Sequence, residues 1–134
     1  MNKPDESCSL LDQDLNTDRV LTYEYRKQEN GKIMIVTRWQ ATILPTLEQA
    51  MQLLQNEGLN ATLETVSPEQ KTGEHRHPFD EVRLIVEGEM LYNVAGNQLL
   101  LRPGDRIEIP TNTRHSHSTL SNSNCLSVVG MRPF

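Results

Sequence analysis

The chain has 134 residues, 18 of them acidic and 13 basic, for a net charge of -5. That length suits one domain around one hydrophobic core, and the acidic balance leaves no positive surplus to neutralise a phosphate backbone, which argues against a nucleic-acid partner. No apolar stretch approaches the roughly 20 residues that cross a bilayer, and Asp5, Glu6, Asp12, Asp14 and Asp18 stand where a signal peptide would be basic and then apolar, so a soluble, cytoplasmic protein with no membrane partner is expected.

Residues 1–18 are polar and aperiodic, and they are expected to form a flexible arm ahead of a single domain over 19–134. Val20 to Tyr25 and Ile33 to Trp39 are rich in β-branched and aromatic residues and flank Asn30-Gly31, a dipeptide that tolerates the positive φ angles of tight turns; a hairpin over 20–40 follows. Thr46 and Gln49 have the spacing of a capping box, Leu47, Ala50, Met51, Leu53 and Leu54 recur at helical intervals, and Gly58 supplies a left-handed stop. The spacing predicts a helix over 47–57 whose apolar stripe packs on a sheet.

Beyond Gly58 the chain reads as short strands at 60–66, 73–77, 81–87, 89–94, 98–102, 106–109, 115–120 and 125–130, separated by Gly, Pro and Asn turns. Such a series belongs to an all-β sandwich or barrel. Cys8 and Cys125 have no spacing that suggests a bridge or a metal knuckle, and both are read as free thiols, Cys125 as a small buried hydrophobe. Tyr92 and Trp39 are expected to serve packing.

All four histidines fall in two His-x-His pairs, at 75 and 77 and at 115 and 117. Side chains at i and i+2 of a strand share a face, so His75 and His77 can present two imidazoles to one point, and a hairpin can bring Glu81 beside them. Two imidazoles and one carboxylate suit a transition metal, whereas calcium and magnesium favour mostly oxygen ligands. Arg83, two residues beyond Glu81, can face inward to pair with it or to anchor an anionic substrate, or it can lie at the surface.

The run from Gly73 to Gly88, with His-x-His, three residues, Glu, six residues, Gly, resembles the first motif of the cupin superfamily. Gly96, Pro103-Gly104-Asp105, Ile109-Pro110 and His115 resemble its second motif. The likeness spans about 60–130, roughly half the chain, and departs from the pattern at Gly73, which lies only two residues before His75, and at Ser118 and Thr119, where an asparagine is common. It implies a double-stranded β-helix, or jelly-roll, barrel with the N-terminal hairpin and one short helix added. It also implies one divalent transition metal (Fe, Ni, Mn, Zn or Cu) held by His75, His77, Glu81 and His115; His117, two residues on, faces the same cavity if its strand stays regular and is then expected to line the pocket. The function it implies is a metal-dependent oxygenase or isomerase acting on a small oxygen-bearing metabolite, or a metal-binding or ligand-binding sensor that turns nothing over. Asp80 to Arg83 with Glu87-Gly88 is similar to acireductone dioxygenases, although the Gly88–His115 interval is shorter here. Homodimers are frequent in the superfamily, so a homodimer is expected.

Overall fold

The computed structural model describes residues 8–13, 20–27, 31–120 and 122–132, the first two segments as backbone strands. Eleven strands and one helix follow in the order β1 (Cys8–Gln13), β2 (Val20–Lys27), β3 (Ile33–Trp39), α1 (Leu47–Asn56), β4 (Thr62–Val66), β5 (Thr72–His75), β6 (Asp80–Glu87), β7 (Met90–Val94), β8 (Asn97–Leu101), β9 (Arg106–Ile109), β10 (His115–Thr119) and β11 (Cys125–Arg132). They form two antiparallel sheets, β1-β2-β3-β9-β6-β11-β4 and β5-β10-β7-β8. The arrangement is the jelly-roll barrel expected from the run of short strands.

Strand parity builds the core. Met34, Val36, Ile85, Ile107, Ile109 and Cys125 from the larger sheet meet Met90, Tyr92, Val94, Leu99 and Leu101 from the smaller one. Each fully buried apolar side chain contributes roughly 1.5–3 kcal/mol relative to exposure. The alternate residues of β6, Val82 and Leu84, face the other way and join Val128, Ala50, Leu54 and Leu59 in a second cluster beneath α1. β6 is therefore buried on both faces.

The helix begins where its capping residues dictate: Gln49 N–H donates to Thr46 Oγ1 (3.1 Å) and Thr46 N–H donates to Gln49 Oε1 (2.9 Å). It ends at Asn56 with Glu57 as its C-cap, and the chain leaves it through Gly58, whose φ is +82°. Glu57, just past its last turn, is clipped to the sheet by Arg106 and by Arg132 (3.3 Å), and Arg132 also reaches Glu108 (3.0 Å).

Two turn glycines are required by space as well as by φ. A Cβ on Gly88 would lie 2.4 Å from the Asn124 carbonyl oxygen, and one on Gly104 would lie 2.6 Å from Trp39 Cβ. Asp105, next to Gly104 and buried, ties that turn to β3 by accepting from Trp39 N–H (3.0 Å), Arg38 Nη1 (2.9 Å) and Arg102 N–H (3.0 Å).

Most boundaries lie within a residue or two of the expectations, and three of the differences matter to the fold and the site. β1 lies within the stretch expected to be a flexible arm, because its backbone groups pair with β2 from Cys8↔Tyr25 to Gln13↔Val20, a ladder that needs no apolar run of its own. The remainder of 1–18, and Asn30 of the expected turn dipeptide, lie outside the described residues. β4 starts at Thr62 where 60 is expected, and β5 stops at His75, leaving His77 beyond the end of its strand.

Candidate metal centre

The expected ligands converge at the open edge of the barrel. One ligand atom from each of His75, His77 and His115 lies within 4.8 Å of the others. The Nε2 atoms of His75 and His77 are 3.1 Å apart, and Glu81 Oε1 lies 3.4 Å from Nε2 of both His77 and His115. Glu81 thus joins the cluster through two of its three histidines.

The means of convergence is not the one parity predicts. His77 has left the strand, so the i, i+2 rule does not place it. Its carbonyl accepts instead from Asn112 N–H (2.7 Å) and Thr111 Oγ1 (3.3 Å), in the loop that follows β9. Asp80 Oδ1 accepts from Thr111 N–H (2.7 Å) and sews the same two segments together. The His77 ring stacks on Phe79, with centroids 4.6 Å apart and planes 15° from parallel.

His75 and His115 face each other as register partners on β5 and β10, and each is oriented by the carbonyl two residues before it. Nδ1 of His75 lies 2.7 Å from the Gly73 oxygen, and Nδ1 of His115 lies 2.8 Å from the Thr113 oxygen. A carbonyl only accepts, so Nδ1 carries the proton in both rings and Nε2 of the neutral imidazole turns a lone pair into the cluster. His115, only 1 % exposed, has no hydrogen-bond partner at Nε2. Nε2 of His115 and a Glu81 oxygen 3.4 Å away call for a proton or a cation between them, and imidazoles with one carboxylate are the donors a divalent transition metal takes. The residues present fit such an ion.

Behind the cluster lies a buried charged row. Arg83, 3 % exposed, donates from Nε to Glu81 Oε2 (3.3 Å) and from Nη1 to Ser127 Oγ (2.7 Å) and to Glu64, so of its expected positions the structure selects the inward one, paired with Glu81. Burial opposes the Arg83 charge, but Tyr92, Glu81 and Glu64 around it more than compensate and raise its pKa. Burial likewise pushes Glu81 upward, yet contacts with His115 and His77 and the charge of Arg83 outweigh it and hold the carboxyl well below its ordinary 4.5. Tyr92 is fully buried and donates from its hydroxyl to Glu81 Oε2 (2.8 Å). Burial, reinforced by Glu81, raises that phenol well above its ordinary 10.0 and keeps the donor proton in place.

Tyr92 is therefore a site residue as well as a packing residue. The clue in the sequence was its parity with Met90 and Val94: a tyrosine on an inward face needs a partner for its hydroxyl. Trp39 is half-buried away from the site, packing as expected, and donates from Nε1 to the Ile43 carbonyl (3.0 Å). Ser127 and Glu64 were not anticipated. His117 lines the cavity as expected, because β10 stays in register with β7 and its one irregularity falls on the β5 side. Burial first, then the charge of Arg83, lowers the His117 pKa to about 4, and its Nδ1 is buried without a partner.

The cluster opens into a cavity of about 480 Å³ between the edge strands β4 and β5, walled by Thr62, Leu63, Glu64, Phe79, Val129 and Met131 beside His75, His77, His117, Glu81 and Arg83. A two-sheet antiparallel barrel with an inward cluster of histidines at its open edge defines a small-molecule-sized site on a rigid scaffold. Residues 62–129 match the cupin domain, half of the chain, and the chain belongs to the cupin family.

Among curated relatives, the acireductone dioxygenase of Bacillus licheniformis is 47% identical over 47 residues, which cover 31% of this chain and 26% of that protein. The chain thus spans about a quarter of the length of that relative. Among solved structures, the DMSP lyase DddQ of Ruegeria pomeroyi is 25% identical with a TM-score of 0.51, over 56% of this chain and 38% of the other. The salicylate 1,2-dioxygenase of Pseudaminobacter salicylatoxidans is 26% identical with a TM-score of 0.51, over 53% of this chain and 21% of the other. Among the described residues, no helix is long and apolar enough to cross a membrane.

Proposed function

We propose that the chain is a metal-dependent enzyme of the dioxygenase or isomerase type, holding one divalent transition metal through His75, His77, Glu81 and His115 and acting on a small oxygen-bearing metabolite. The observation that carries this reading is the convergence of three imidazoles and the Glu81 carboxylate on one point, with the buried Nε2 of His115 turned toward it and making no hydrogen bond. When bound, such an ion supplies Lewis-acid polarisation of substrate oxygens and, if it is redox-active, access to oxygen chemistry.

The chain's own residues orient and enclose. The Gly73 and Thr113 carbonyls fix two rings, the 111–112 loop fixes the third, and Tyr92 and Arg83 hold Glu81. Phe79, Leu63, Val129 and Met131 give the cavity an apolar wall that limits water around a bound substrate. His117, neutral at physiological pH, offers an unpaired nitrogen on the same cavity.

Within this class, acireductone-type dioxygenation is the activity to assay first, because the curated match joins 47% identity to a dioxygenase. The first test is elemental analysis of untagged protein purified without chelator, beside His75→Ala and His115→Ala. Near-stoichiometric Fe, Ni, Mn, Zn or Cu that falls sharply in both variants is expected. Protein that carries no metal and takes up none of those ions would overturn the proposal.

A further inference from the structure

Arg83 is the only Arg or Lys among the described residues that line the cavity, and it is already occupied. Its Nη1 is shared between Ser127 and Glu64, which are register partners on β11 and β4, while its Nε is held by Glu81. The row Arg83, Ser127, Glu64 thus crosses three adjacent strands from the barrel interior to its edge. Arg83 and Ser127 are buried, whereas the Glu64 side chain is 47% exposed and belongs to the edge strand at the mouth. Glu64 is the one acidic partner of Arg83 that lies outside the metal cluster.

Resting on the metal-site reading above, we infer that Glu64 sets the substrate class: by neutralising Arg83 at the mouth, it disfavours carboxylate and phosphate substrates, which need a free guanidinium, and leaves the cavity to hydroxyl- and keto-bearing molecules with an apolar portion. An incoming carboxylate meets the Glu64 charge at the entrance and finds Arg83 taken. A neutral hydroxyl or keto compound meets neither obstacle, and its carbon skeleton lies against Leu63, Phe79, Val129 and Met131. Like charges within a few ångströms in a partly desolvated cavity shift binding by about tenfold or more.

The test compares wild type, Glu64→Gln and Glu64→Ala by titration calorimetry with oxalate, a dianion, and with imidazole, a neutral metal ligand, on nickel-loaded protein of measured metal content. Oxalate is expected to bind at least ~10-fold tighter to both variants, with imidazole affinity unchanged within about twofold. Equal oxalate affinity in all three proteins overturns the inference. So does imidazole affinity that rises in step with oxalate, because the substitution would then have loosened the site instead of removing a charge. If nickel does not load, the metal reading has failed, and the oxalate ratio measured without metal still decides the role of Glu64, since Arg83 belongs to the protein. Two variants guard against misfolding of one, and thermal melts verify that each is folded.

Discussion

Replacing Tyr92 by Phe tests whether the inner face of β7 positions the site or merely fills the core. The ring volume is kept, so no cavity forms, and what disappears is the hydroxyl that donates to Glu81 Oε2 at 2.8 Å. That oxygen keeps only Arg83 Nε, at 3.3 Å. A buried hydrogen bond to a charged group is worth roughly 1.5–3 kcal/mol, which for a domain of this size lowers the melting temperature by about 5–15 °C. Glu81 would also be free to rotate, and loss of a group that orients a ligand costs about 10–100-fold in metal affinity. Circular dichroism melts of metal-free protein give the first quantity, and competition against a chromophoric chelator gives the second. A melt lowered as expected with metal affinity unchanged within about twofold would refute the positioning role and leave Tyr92 as packing alone.

Gly104→Ala should destabilise by roughly 2–5 kcal/mol, combining the cost of a side chain at positive φ with overpacking against Trp39, and urea denaturation measures it. Glu57→Gln should cost stability at neutral pH: Arg106 first, and Arg132 with it, lowers the Glu57 pKa below 4.5, so the carboxylate contributes fully above that value and ceases to contribute as pH falls through its folded pKa. The gap between wild-type and variant melting temperatures should close in strong acid; a gap that persists below about pH 3 counts against the ion pair. Burial pushes the Cys125 thiol up to about 11. In a Cys8→Ser background it should ignore a disulfide reagent at pH 8 until the chain is unfolded, and rapid reaction of the native protein would contradict its burial.

The barrel was legible because its strands are short, its turns carry glycine, proline and asparagine, and the capping residues of α1 are local signals. The convergence of His75, His77, Glu81 and His115 was legible from their spacing, but the reason His77 reaches the cluster was not. Parity suggested a shared strand face, whereas the ring is held by a carbonyl bonded to a loop 35 residues away, at Asn112. Tyr92 was expected to serve packing alone, and its bond to Glu81 went unread, although its inward parity with Met90 and Val94 was a signal that its hydroxyl needs a partner. Glu64 gave no local sign, since an acidic residue in an exposed strand reads as a solvated face until β4 is known to border the cavity. β1 was missed for a similar reason: its order comes from pairing with β2, and nothing within Cys8–Gln13 announces the pairing.

His75 and His115 owe their orientation to peptide oxygens, those of Gly73 and Thr113. A side chain that steers a ligand can be lost by one nucleotide change, but a peptide oxygen is present whatever residue occupies the position. Only a change in the local path of the chain removes it. Substitutions on β4, β11 and the Phe79 loop can therefore reshape the lining of the pocket while the bearing of these two imidazoles stays fixed by the path of the backbone.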